Sequence, residues 1–294
     1  MRLLMFLLLN TVALAAQDRV YEVYTGAIPC PTERPLASRT DPGIGRILTD
    51  VSVPELHYYA PVPRGGGSAA VMIIPGGGYA IEAWDLEGTD IARYLSHRGF
   101  HAFVLSHRLP ARAADACRSE VALHDAQEGL LRVKALADSL GYASDQVGVM
   151  GFSAGGHLAG SASVHPRESA GASSRPAFSV LVYPVTIMEQ ARSGHAGSQA
   201  NLVGENPDRE LLQYYNLPAQ VDSLTPPTLL VHASDDGVVH PRNALEYYSA
   251  LVAHGVPADL RIYATGGHGF GAARERETPV QNWLEEVVNW LKVR

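Results

Sequence analysis

Apolar residues along this chain fall into short runs separated by stretches with helical spacing. The run at 69–74 has the continuous hydrophobicity of a strand buried on both faces, and 100–105, 147–150, 178–183 and 228–232 read as further strands. A segment of β character at 51–59 precedes them and stops at Pro61 and Pro63, ahead of a glycine loop at 64–68. Residues 260–263 form the last predicted strand. Helical spacing occupies 89–97, stopped by Gly99, and 241–253, stopped by Gly255. The longest predicted helix covers 120–140, with Leu123, Leu130, Leu131, Val133, Leu136 and Leu140 available for one side, and stops at Gly141. An amphipathic helix closes the chain at 280–291. Strands alternating with helices predict an α/β fold: a mostly parallel, doubly wound sheet with helices on both faces. No repeat or linker divides residues 17–294, which are expected to form one domain. Within it, 186–227 is long for a connection and carries a predicted helix near 208–215, as a cap or substrate loop would.

The first residues follow a different pattern. Met1 and Arg2 lead into the apolar run 3–9, and Ala13, Ala15 and Ala16 supply small residues at a cleavage position. Residues 1–16 therefore read as an export signal, too short to span a bilayer, and the mature protein is expected in the periplasm or outside the cell without a membrane attachment. In such an oxidising compartment Cys30 and Cys117 could pair, which their positions in the sequence do not decide. Composition narrows the class further. The chain has 294 residues, 46% of them apolar and 18% charged, which is globular and long enough for a substantial core. A net charge of −7 with no block of Lys or Arg argues against a nucleic-acid partner. Two cysteines and no HExxH spacing point to no metal site, and no cofactor is expected.

The candidate chemistry sits at glycine-rich turns. Gly151-Phe152-Ser153-Ala154-Gly155 fits G-x-S-x-G between a predicted strand and a predicted helix. A serine on such a turn projects into a cleft, and the helix N-terminus behind it favours developing negative charge. A serine nucleophile needs a base and an orienting carboxylate, in the chain order Ser, acid, His. The loop after the strand at 228–232 supplies Asp235 and Asp236, of which Asp236 is favoured by its spacing to Val239, with Asp235 left to bond the loop. The loop after the last strand, Gly266 to Gly271, supplies His268. His157 lies one helical turn beyond Ser153 and reads as a packed supporting residue, as does His232 at a strand end. Pro75-Gly76-Gly77-Gly78-Tyr79 follows an early strand, where backbone N–H groups of Gly77 and Gly78, with that of Ala154, would form an oxyanion hole. No GxGxxG is present, and no Lys-Ser/Thr follows the glycines, so a phosphate cradle is disfavoured.

These motifs resemble those of α/β-hydrolases of the acetyl-xylan and feruloyl esterase branch, which is hormone-sensitive-lipase-like. The likeness lies in PGGGY at 75–79, GFSAGGHLA at 151–159, HASDDxVV at 232–239 and GGHGFG at 266–271, and extends from about residue 58 to the C-terminus. His240 departs from the pattern, in which proline is frequent. The resemblance implies that Ser153 attacks an ester carbonyl, His268 shuttles the proton, Asp236 holds the imidazole, and an acyl-serine is hydrolysed by water. It implies deacetylation of xylan or related plant oligo- or polysaccharides as the activity, with feruloyl esters or short-chain carboxylic esters as alternatives. Peptidases of this fold usually carry a large extra domain, for which this length leaves no room, and a non-catalytic binding module is the reading from another class. Tyr79 and Trp84, near the oxyanion loop, and His195 and Ser198, in the insertion, are the expected sugar contacts.

Overall fold

The five apolar segments become the centre of one large sheet. In the computed structural model, which describes residues 18–32, 34–62, 69–169, 171–189, 193–273 and 277–294, the chain opens with β1 (Arg19–Glu22), β2 (Ala37–Asp41), β3 (Gly45–Asp50) and β4 (Glu55–Tyr59). The expected export signal at 1–16 lies outside the described residues. There follow β5 (Ala70–Ile74), α1 (Asp90–Ser96), β6 (His101–Ser106), α2 (Val121–Ala135), α3 (Ala137–Leu140), β7 (Val147–Phe152) and α4 (Ser153–Val164). A small hairpin of β8 (Glu168–Ser169) and β9 (Ala172–Ser173) precedes β10 (Ser179–Val182). The insertion holds α5 (Ala196–Val203) and α6 (Arg209–Tyr214), and the chain ends with β11 (Thr228–Ala233), α7 (Arg242–Ala253), β12 (Ala258–Tyr263) and α8 (Trp283–Leu291).

The main sheet has eight strands in the order β1-β4-β6-β5-β7-β10-β11-β12. Only β4 runs against the others, pairing antiparallel with β1 on one side and β6 on the other. Every residue of β5, β6, β7, β10 and β11 is buried, which explains their largely apolar sequences: both faces are covered. On one face Leu130 of α2, Leu158 of α4 and Tyr247 of α7 share a core, and on the other Ile91 and Leu95 of α1 pack with Trp283 and Val287 of α8. This is the α/β-hydrolase architecture.

Two features depart from the sequence reading. The sheet begins earlier than residue 51, because β1 pairs with β4 and the β2–β3 hairpin stands apart as its own two-stranded unit. β1 and β2 are short and largely exposed, and β3 buries only Ile47 and Leu48, so they carry no hydrophobic period to detect. The long helix over 120–140 is divided at Leu136, which caps α2 and precedes α3, and Gly141 ends it in a left-handed conformation at φ +85°.

The N-terminal segment is tied down twice. A disulfide joins Cys30 to Cys117, with the Cα atoms 6.2 Å apart. Beside it, Arg108 donates to the carbonyl of Cys30 at 2.8 Å and forks onto Asp125 of α2 at 2.6 Å. Both members of that ion pair are buried, and Asp125 accepts a further bond from the Tyr24 hydroxyl at 2.9 Å.

Candidate active site

Ser153 stands at the junction of β7 and α4 with φ +52°, a left-handed conformation that costs a non-glycine residue about 1 kcal/mol or more. The junction is held by packing and by the Val185 N–H, which donates to the Ser153 carbonyl at 3.1 Å. Gly155 is required by close approach: a Cβ there would lie 2.3 Å from the Ile74 carbonyl oxygen and 2.4 Å from that of Pro75. Its absence lets α4 rest directly on the end of β5, so the serine and the 75–79 loop meet. The approach is close enough that a Cβ on Gly76 would lie 2.9 Å from the Cβ of Ser153.

The structure brings Ser153, His268 and Asp236 together from three separate turns. His268 Nε2 lies 2.9 Å from Ser153 Oγ, and His268 Nδ1 lies 2.7 Å from Asp236 Oδ2. Asp236 Oδ1 accepts from the N–H groups of Val238 at 2.9 Å and Val239 at 2.8 Å, while His232 Nε2 stands 3.2 Å from Oδ2. Burial alone would raise the Asp236 pKa, but hydrogen bonds from His232 and His268 and the nearby imidazole charge outweigh it and hold the carboxyl well below its usual range. It remains ionised at neutral pH. Asp235 is used differently: its Oδ1 accepts from the N–H groups of Gly266 at 2.9 Å and Gly267 at 2.8 Å, fixing the base of the loop that carries His268.

The 75–79 loop is built so that its carbonyls are engaged. Gly77 and Gly78 have φ values of +139° and +63°. The Gly76 carbonyl accepts from Ala83 N–H at 2.8 Å, and the Gly77 carbonyl accepts from Ala80 and Ile81 N–H at 3.1 and 3.2 Å. In a planar trans peptide the N–H points opposite to the preceding C=O. Anchoring these two carbonyls therefore aims the N–H groups of Gly77 and Gly78 away from the 80–83 turn, and neither bonds to a protein acceptor among the described residues. The Gly76 N–H is engaged instead with Glu87 at 2.7 Å. Ala154, in the first turn of α4, has an N–H with no acceptor inside its helix.

Beneath the site lies a buried network that the sequence did not reveal. Glu87 accepts from Gly76 N–H and, at 2.8 Å, from the Tyr183 hydroxyl. Tyr183, at φ +36°, packs its ring 4.8 Å from His268 and 4.5 Å from Phe270, and the Gly271 N–H reaches its oxygen at 3.4 Å. The two residues thus join the floor of the 75–79 loop to the histidine loop. Burial raises the Glu87 pKa, partly offset by its bonds to Tyr183 and Gly76 and by His268. In the sequence Glu87 sits in a polar stretch with Asp85, Thr89 and Asp90, so a tyrosine at a strand end is the one signal it offers.

Among the expected sugar contacts the structure separates two pairs. Trp84 is 1% exposed, with its ring 4.6 Å from that of His57 and the Arg46 guanidinium 5.4 Å above it. Tyr79 is 2% exposed and its hydroxyl is bonded to His157 at 2.7 Å. Neither ring presents a face to a sugar, because both are directed into the interior. His195 caps α5 and is half-buried, with Nδ1 accepting from Ser198 N–H at 3.1 Å and 2.9 Å from Ser198 Oγ. Burial, and then the proximity of His268, lower its pKa. Because the Ser198 N–H can only donate, the neutral ring carries its proton on Nε2. Ser198 itself is fully buried and serves as the support of His195. Among the described residues no group of three or more His, Cys, Asp or Glu is arranged to hold a metal ion, and no helix is long and apolar enough to cross a membrane.

Comparison with known proteins places this geometry. Residues 112–293 match the prolyl oligopeptidase family. The chain is 34% identical over 236 residues to an acetylxylan esterase of Xylanibacter ruminicola, an alignment covering 79% of this chain and 47% of that protein. It is 32% identical over 212 residues to endo-1,4-beta-xylanase B of Butyrivibrio fibrisolvens, covering 70% of this chain and 33% of that protein. The chain thus spans about half or less of the length of these curated relatives. A crystal structure of an acetyl ester-xyloside bifunctional hydrolase from Caldicellulosiruptor lactoaceticus superposes with a TM-score of 0.80 at 30% identity, covering 96% of this chain and 98% of that one.

Proposed function

The chain belongs to the prolyl oligopeptidase family of α/β-hydrolases, and from that premise we propose that it is a serine carboxylic-ester hydrolase that removes acetyl groups from xylan or related plant oligo- or polysaccharides. The observation that carries the reaction class is the unbroken series Ser153 Oγ, His268 Nε2, His268 Nδ1, Asp236 Oδ2, with contacts of 2.9 and 2.7 Å. In this reading His268 takes the Ser153 proton as Oγ attacks the ester carbonyl carbon. The oxyanion is met by the N–H groups of Gly77, Gly78 and Ala154, and collapse expels the alcohol, to which His268 returns the proton. Water, deprotonated by His268, then attacks the acyl-serine and releases acetate. Asp236 fixes the imidazole with its proton on Nδ1 and balances the charge it acquires.

The choice of an acetylated sugar rests on the activities of the acetylxylan esterase and acetyl ester-xyloside hydrolase relatives, and His195, whose ring carries its proton on Nε2 and lies near His268, is the residue we assign to an oxygen of the substrate. We also propose that residues 1–16 direct export.

Two measurements test the reading. A fluorophosphonate probe is expected to label the wild-type protein and not Ser153→Ala; an unlabelled wild type would support a binding module instead. Release of acetate from acetylated xylan, exceeding hydrolysis of feruloyl-arabinose, long-chain p-nitrophenyl esters and prolyl peptides, supports the substrate class. Preference for any of the last three replaces it.

A further inference from the structure

We propose that Tyr79, held through its hydroxyl by His157, positions the oxyanion loop, and that Asn201 of the insertion ties the same loop a second time. The inference rests on the reading that Gly77 and Gly78 supply oxyanion N–H groups. Tyr79 directly follows Gly78 and has φ +63°, an uncommon conformation for a bulky residue that only surrounding contacts can maintain. Its hydroxyl meets His157 Nδ1 at 2.7 Å, and His157 Nε2 meets the Tyr215 carbonyl at 2.8 Å.

The polarity of this series is fixed by chemistry. A carbonyl only accepts, so Nε2 carries the hydrogen. Burial pushes the His157 pKa down to about 4, so the ring is neutral at physiological pH, and Nδ1 has a lone pair. Tyr79 is therefore the donor and His157 the acceptor. The series links three elements in one direction: the oxyanion loop through Tyr79, the nucleophile helix α4 through His157, and the insertion through Tyr215. A second link from the insertion reaches the same loop, since Asn201 Nδ2 of α5 donates to the Gly78 carbonyl at 2.8 Å. The Tyr79 carbonyl is also held, by Ala111 N–H at 3.2 Å. Both residues flanking the Gly78–Tyr79 peptide are thus tied at their polar atoms.

The two nitrogens of His157 can be separated by substitution. An asparagine amide falls near the place of Nδ1, and a glutamine amide near that of Nε2. His157→Asn keeps an acceptor for Tyr79 and loses the Tyr215 link, whereas His157→Gln does the reverse. With p-nitrophenyl acetate, Tyr79→Phe is expected to lower kcat about tenfold to hundredfold with KM within about twofold, as displacement of oxyanion donors does. His157→Gln should fall by a similar factor, and His157→Asn by less than about threefold. Melting temperatures measured in parallel separate catalysis from folding. Loss of kcat in proportion to melting temperature in both His157 variants overturns the proposal, as does Tyr79→Phe within twofold of wild type. If His157→Gln fails to fold, Tyr79→Phe, which keeps the buried ring, decides alone. Fluorophosphonate labelling of the wild type distinguishes the failures: normal labelling with an indifferent Tyr79→Phe refutes only the positioning role, whereas no labelling removes the esterase reading beneath it.

Discussion

Replacing Asp236 by asparagine alters one atom of the site and has a calculable consequence. In the native protein Oδ1 is held by two backbone donors, Val238 N–H and Val239 N–H, and Oδ2 receives His268 Nδ1 at 2.7 Å. The backbone donors cannot reverse their polarity, so the amide oxygen of an asparagine must take the place of Oδ1. The amide nitrogen then occupies the place of Oδ2 and faces His268 as a donor. His268 accommodates it only by releasing the proton from Nδ1 and carrying it on Nε2, the nitrogen 2.9 Å from Ser153 Oγ. An Nε2 that already holds a hydrogen cannot accept the serine proton. A wrong tautomer of this kind lowers kcat by roughly 10⁴-fold, or about 5 kcal/mol of barrier at about 1.36 kcal/mol per decade. His232 Nε2 has the Val239 carbonyl at 2.9 Å as an alternative acceptor, so the fold should survive.

The assay is hydrolysis of p-nitrophenyl acetate by Asp236→Asn and Asp235→Asn, with melting temperatures alongside. In Asp235→Asn the amide oxygen can keep both bonds from Gly266 and Gly267, and kcat should stay within about threefold. An Asp236→Asn enzyme within tenfold of wild type would refute the tautomer argument. A thousandfold loss in Asp235→Asn would move the orienting role to that residue.

Three further substitutions have outcomes that can be worked out from the structure. His157 titrates near 6.5 when unfolded and near 4 when folded, so the unfolded chain binds the extra proton and stability falls as pH drops from about 6.5 to 4, by up to about 3 kcal/mol from this residue; urea unfolding of wild type and His157→Asn should show a gap that narrows towards pH 4, and a constant gap contradicts it. Removing the Cys30–Cys117 bridge, which closes 87 residues, should cost about 4–5 kcal/mol by loop entropy with kcat unchanged, read by denaturation of Cys30→Ala/Cys117→Ala. Trp84→Ala should lose about 3–5 kcal/mol of stability with KM on a sugar ester within twofold; a large rise in KM at unchanged stability would restore a stacking role.

What was legible in the sequence follows a physical rule. Ser153 and Gly155 were readable because local backbone geometry dictates them: a left-handed junction and a Cβ-free approach of 2.3 Å to a carbonyl oxygen restrict which residues fit at fixed offsets. The central parallel strands are readable because burial on both faces makes most of their positions apolar. Trp84 departs from its expected place at the surface because nearness to the 75–79 loop in sequence says nothing about the direction of a side chain, and the intervening turn sends it into the core. Asp236 could be preferred to Asp235 only by spacing. The reason for the two positions, backbone donors of its own loop against those of the histidine loop, appears only once the loops are side by side.

Glu87 and Tyr183 represent the limit of that reading. They are 96 residues apart, and each alone is a polar residue in an apolar setting, which in isolation is a cost rather than a signal. Their bond to each other removes the cost and also couples the 75–79 loop to the loop carrying His268. The same holds for Tyr79, His157 and Tyr215, whose polar atoms satisfy one another across three elements. Residues whose neighbours lie along the chain leave a pattern in it. Those that hold catalytic loops in register are defined by partners from elsewhere, so the support of the site had to be read from the fold.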